Sequence, residues 1–126
     1  MIFHIVPRSD WDSALTRGTY ASSSLAAEGF IHCSTIAQLT NTATRHFRGQ
    51  TGLVVLCIDE SRLRASLKYE APAPVLNETQ NPDGLFPHLF GPLNLDAVVR
   101  VIDFPSSVDG SFELPDALAK LRDDAS

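Results

Sequence analysis

Leu53-Val54-Val55-Leu56-Cys57-Ile58 is the stretch on which the fold turns. It is apolar at every position, rich in β-branched residues, preceded by Gly52 and followed by Asp59. That pattern reads as a strand covered on both faces, which belongs in the middle of a sheet. Neighbouring strands are therefore needed on either side. Upstream, Ile2-Phe3-His4-Ile5-Val6 is β-branched and aromatic with a period near two, and Pro7 ends it. Downstream, Leu67–Ala71 and Ala97–Phe104 read as further strands. Leu85–Leu93 holds two prolines and a glycine, so it reads as a strand edge or a shaped loop.

Helical signals fill much of the space between. Ser9 starts one helix, with Asp10 and Asp12 in its first turn and Gly18 as its stop; Trp11, Ala14 and Leu15 share a side. Ser24 caps a short second helix that runs to Gly29, a residue suited to the left-handed position after a helix. Phe30–Ser34 follows as a strand. Thr35–Phe47 is an amphipathic helix with Ile36, Leu39, Ala43 and Phe47 on one stripe. Asp59–Ala65 reads as one helical turn or a 3-10 segment, Pro72–Gly84 as a long loop, and Pro115–Arg122 as a terminal helix. Helices gather early and strands late, which argues for an α+β fold with a mostly antiparallel or mixed sheet.

The chain has 126 residues, 44% of them hydrophobic and 20% charged, which suits one globular domain spanning 1–126. Its net charge is -5, and its ten Lys and Arg are scattered, so a long nucleic acid is not an expected partner. Cys33 and Cys57 sit inside apolar runs and read as small buried hydrophobes, without zinc or disulfide spacing. The first residues show no basic leader, and no segment has membrane-spanning length. A cytoplasmic protein is the expectation.

Chemistry is most concentrated at the histidines. His4 and His32 lie mid-strand, and His88 lies in Phe86-Pro87-His88-Leu89-Phe90-Gly91-Pro92. Imidazole donates, accepts and titrates near neutrality, so several rings on one cleft can bind hydroxyls and phosphates or move protons. The plainer reading of each is a satisfied core residue. His46, late in a helix, is structural. No close pair of ligands suggests a metal. Glu70 ends a strand before the long loop and is either a cleft carboxylate or a solvated strand end. Glu28 reads as a solvent-facing helix-end residue. Ser34 and Thr35 suit the cap of the helix that follows, where backbone N–H groups also face an anion. Pro87 and Pro92 stiffen the chain around His88, and Gly91 permits positive φ or a close approach.

Taken together, His4, Trp11-x-x-Ala14, Ser24-Leu25, Glu28-Gly29-Phe30-Ile31-His32-Cys33-Ser34 and Phe86-Pro87-His88-Leu89-Phe90-Gly91-Pro92-Leu93 resemble the bacterial family named domain of unknown function 952. The resemblance runs from Ile2 to about Phe104. That family in turn is similar to the ADP-ribosyltransferase fold, a split sheet enclosing a cleft for NAD, and within it to the RNA 2′-phosphotransferase branch. The resemblance implies a nucleotide-ligand enzyme with NAD as a substrate and no metal. His4 would hold ribose hydroxyls, with Ser34 and Gly91 also on the ligand. His32, His88 and Glu70 are the catalytic candidates. The fold's usual His-Gly-Thr/Ser opening is His4-Ile5-Val6 here, and its usual catalytic Glu is not evident. A non-enzymatic nucleotide- or metabolite-binding module is the alternative. A two-histidine phosphodiesterase is disfavoured, because His32-Cys33-Ser34 has no second element like it.

Overall fold

A computed structural model of the chain describes residues 1–71 and 84–125. In order, the elements are β1 (Ile2–Pro7), α1 (Arg8–Arg17), β2 (Thr19–Tyr20), α2 (Ser23–Glu28), β3 (Ile31–His32), α3 (Leu39–Phe47) and β4 (Leu53–Ile58). A 3-10 turn at Glu60–Arg62 leads to β5 (Ser66–Glu70), β6 (Phe86–Phe90) and β7 (Leu93–Asn94). A second 3-10 turn at Leu95–Ala97, β8 (Val98–Asp103) and α4 (Asp116–Ala125) complete the described chain. The loop expected over Pro72–Gly84 lies, from 72 to 83, outside the described residues.

The first sheet has the order β1-β4-β8 and is antiparallel throughout, with β4 in the middle as the apolar run requires. All six residues of β4 are buried. One face packs against Leu39 and Ala43 of α3, Leu118 of α4, Phe104 and Phe112. Its other face joins Trp11 and Ala14 of α1, Ile31 and Leu89 of a second sheet, and Cys33 just after β3. That second sheet, β3-β6-β5, is also antiparallel, and β2 pairs with β7 as a small ribbon. The architecture is α+β, with antiparallel sheets and short helices.

Among the described residues a single backbone pair joins the two large sheets. Phe3 and Ser34 exchange both hydrogen bonds, at 2.8 and 2.7 Å, and beyond them the strands part. Both cysteines are buried and free, and burial pushes the Cys33 thiol up to about 12 and the Cys57 thiol to about 11. They are core residues, as their setting in apolar runs suggests.

Several boundaries differ from expectation, each for a physical reason. The helix expected from Thr35 begins at Leu39, because Ser34 is held in the bridge to β1 and Gln38 reaches back to accept the Thr35 N–H. Ser34 therefore caps nothing. Leu15 is exposed beside the buried Trp11 and Ala14. The segment read as an edge or loop is the central strand β6, with Pro87 inside it. The Pro87 carbonyl accepts the Cys33 N–H at 3.0 Å, but proline has no N–H to return. That pair keeps one of its two bonds, which accounts for a β3 only two residues long instead of Phe30–Ser34.

Candidate functional site

Strand alternation sorts the outer sheet into two faces. Ile31, Leu67 and Leu89 share one row and meet the core between the sheets. The next row is His32 on β3, His88 on β6 and Lys68 on β5, and it points the other way. Because Cys33 and Pro87 form a hydrogen-bonded pair, His32 and His88 form the adjacent non-hydrogen-bonded pair, in which side chains stand closest. Their ring centroids are 5.5 Å apart and nearly perpendicular. The structure thus brings two of the three histidines together.

Each of these rings has a carboxylate. His32 Nε2 lies 2.8 Å from Glu28 Oε2, and His88 Nδ1 lies 3.0 Å from Glu70 Oε1. An ionised carboxylate only accepts, so each ring donates its N–H there and holds its second nitrogen as the basic one. Glu28 is placed by Gly29, whose left-handed conformation (φ 90°) ends α2 and turns the chain into β3. His32 is exposed, whereas the His88 side chain is only 4% accessible. Phe30 stacks on His88 with centroids 4.0 Å apart and meets the His32 ring edge-on at 4.8 Å. Phe90 stands 5.3 Å from Phe30, with the Lys68 ammonium 5.1 Å from its ring centre.

His4 sits on the core side instead, among Ile2, Val6 and Tyr20. Its Nδ1 lies 2.6 Å from the His32 carbonyl and its Nε2 lies 2.7 Å from the Tyr20 hydroxyl. A carbonyl cannot donate, so Nδ1 carries the proton and Nε2 accepts from Tyr20. Burial lowers the His4 pKa to about 4 and keeps the ring neutral; the bond to the His32 carbonyl opposes this and nearby His32 charge adds to it. Burial likewise raises the Tyr20 phenol, which remains a donor. Both nitrogens of His4 are engaged by the protein.

The remaining candidates are placed as follows. Ser34 is buried in the bridge between the sheets. Gly91 follows β6, where a Cβ would come 2.7 Å from Ala65 Cβ, so the close approach it permits is to the protein itself. His46 is exposed in the last turn of α3. Glu28 is the exposed helix-end residue that the sequence suggests, but neither its tie to His32 nor that of Tyr20 to His4 was foreseen. The i, i+4 spacing of Glu28 and His32 was a visible signal; nothing in spacing linked Tyr20 to His4. Depressions beside Arg8 and Gly52, and beside Ser106 and Glu113, are lined by none of the three histidines. Among the described residues no group of three or more His, Cys, Asp or Glu is placed to share a metal ion, and no helix is long and apolar enough to cross a membrane.

Comparison with known proteins follows the same lines. Residues 5–101 match the family described as a protein of unknown function (DUF952). The crystal structure of protein CC0527 from Caulobacter crescentus is 37% identical, covers 94% of this chain and 97% of that one, and superposes with a TM-score of 0.79. The solution NMR structure of CC0527 gives 37% identity, the same shares and a TM-score of 0.74. No curated protein matches the chain. With the family matched over most of its length and a solved relative covering nearly all of it, the chain belongs to the DUF952 family.

Proposed function

We propose that the outer face of β3-β6-β5 binds a nucleotide-like ligand and that the protein is an enzyme of the NAD-dependent ADP-ribosyl or 2′-phosphotransferase type. The observation that carries this reading is the facing pair His32 and His88, each tied to its own carboxylate and flanked by Phe30. The exposed His32 ring, held by Glu28 through one nitrogen, offers the other in a fixed direction, as proton transfer and hydroxyl binding require. Phe30 and Phe90 supply aromatic surface for a planar base. Among the described residues of this face, two carboxylates against the ammonium of Lys68 leave it anionic when the imidazoles are neutral. That balance suits a ribosyl transition state gaining positive charge better than a step gathering negative charge on phosphorus. NAD is then the substrate whose glycosidic bond breaks. The single-pair junction at Phe3 and Ser34 is in keeping with a split sheet.

In this reading His32, His88 and Glu70 act on the ligand, and Glu28 orients His32. His4, enclosed with both nitrogens occupied, supports the site from beneath; it does not hold a ribose. The engagement of His4 favours a second reading, a binding module that retains the face without turnover. Titrating NAD, ADP-ribose and a 2′-phosphorylated nucleotide into labelled protein distinguishes them. Shifts are expected around His32 and His88, abolished in His32→Ala and His88→Ala. If none of the three ligands perturbs these residues, the nucleotide reading fails in both forms. A ligand that binds but is recovered intact after prolonged incubation supports the module and removes the enzyme.

A further inference from the structure

We infer that His4 and Tyr20 are positioning residues for His32, forming a side-chain wedge in the fork between the two sheets. The inference rests on His32 being part of the proposed site, and it concerns how that residue is held. β3 is weakly secured along both edges. On the β6 edge, Pro87 withholds one hydrogen bond from the pair with Cys33. On the β1 edge, the ladder consists of Phe3 with Ser34 and goes no further among the described residues.

Backbone polarity in a strand alternates from edge to edge. Ser34 points its N–H and C=O at β1 and Cys33 points its N–H at β6, so His32 presents its carbonyl to β1, where the strands have already parted. The His4 imidazole spans that gap and donates to this carbonyl at 2.6 Å. Tyr20, from the β2 ribbon that pairs with β7, backs the ring at 2.7 Å and fixes its tautomer by donating to Nε2. A side chain thus takes the place of the missing ladder bond. The wedge satisfies a carbonyl that would otherwise lack a strand partner and sets the height of the His32 ring opposite His88.

The test needs no nucleotide, so its outcome is separate from that of the proposed function. Tyr20→Phe keeps the ring and its packing and leaves His4 Nε2 without its donor; His4→Leu removes the wedge's hydrogen bonds; His4→Asn restores an N–H near the Nδ1 position. Amide exchange and the NMR titration of the His32 ring are read in each variant. In Tyr20→Phe and His4→Leu, the Cys33 and Ser34 amides are expected to exchange at least about tenfold faster, while Val54 to Cys57 keep their protection. The His32 titration midpoint moves in the same variants, and His4→Asn returns both readouts toward the parent. Uniform acceleration across β4 would reduce the pair to ordinary core residues and overturn the inference. So would unchanged exchange and an unchanged His32 titration in His4→Leu, the more drastic variant.

Discussion

The two three-stranded sheets divide the work of the molecule differently. In β1-β4-β8 the central strand is buried on both faces, and two long antiparallel ladders hold it. In β3-β6-β5 one face of the row Ile31, Leu89 and Leu67 serves the core, while the next row carries imidazoles and an ammonium. One sheet encloses its central strand on both faces, and the other turns a polar row away from the core. The second sheet has a proline in its central strand and a two-residue edge strand, whereas the central strand of the first is apolar at every position.

Three measurements break or sharpen that contrast. The largest effect is expected in the first sheet. Leu56 is fully buried against the core between the sheets, so Leu56→Ala should cost about 2–5 kcal/mol in denaturant unfolding. A loss under about 1 kcal/mol would contradict the assignment of stability to β4.

The second concerns the junction. His4 titrates at about 4 in the fold and near its ordinary 6.5 when unfolded, with burial as the main cause. The unfolded chain therefore binds more protons between those values. The neutral ring's contribution is fully present above about pH 6.5 and is lost as pH falls toward 4, by at most ~3 kcal/mol. The groups facing the ring are the Tyr20 hydroxyl and the His32 carbonyl, and the former stays protonated throughout. Unfolding free energy measured from pH 7 to 4 should fall more steeply for the parent than for His4→Leu. Parallel pH curves would remove the buried neutral imidazole from the account.

The third and smallest lies at the end of β6. Gly91→Ala drives a methyl into Ala65 Cβ, and a rigid neighbour of this kind makes the cost about 1–3 kcal/mol. Pairing it with Ala65→Gly should recover much of the loss, which a double-mutant cycle would read as favourable coupling. Additive losses would mean that Gly91 serves something other than this contact.

How far the sequence announced these features depended on what each strand faces. Leu53–Ile58 was legible because burial on both faces demands apolar residues without interruption. The α+β class followed from the order of its helices and strands, and Gly29 announced its left-handed cap. β6 was hard to read because Pro87 masks a central strand, and Ser34 and Thr35 resembled a cap that the bridge to β1 pre-empts. Of the candidate site, the unusual mid-strand setting of His32 and His88 was legible. Their register was not, since it depends on pairing residues from opposite halves of the chain. Glu28 was passed over as a helix end, and Tyr20 emerged only when β2 brought it beneath His4.

That register has a kinetic consequence. β1 finds its partner in β4, β3 finds its partner in β6, and β4 awaits β8, so among the described residues every ladder except that of the consecutive strands β5 and β6 joins elements set well apart along the chain. Loops must close before any of these pairings returns free energy, which places such a topology among the slower small folders, toward milliseconds to seconds. During that interval the apolar run from Leu53 to Ile58 waits with both edges unpaired. The residues that later form the molecule's firmest strand are therefore also those most prone to pair with another chain while it folds.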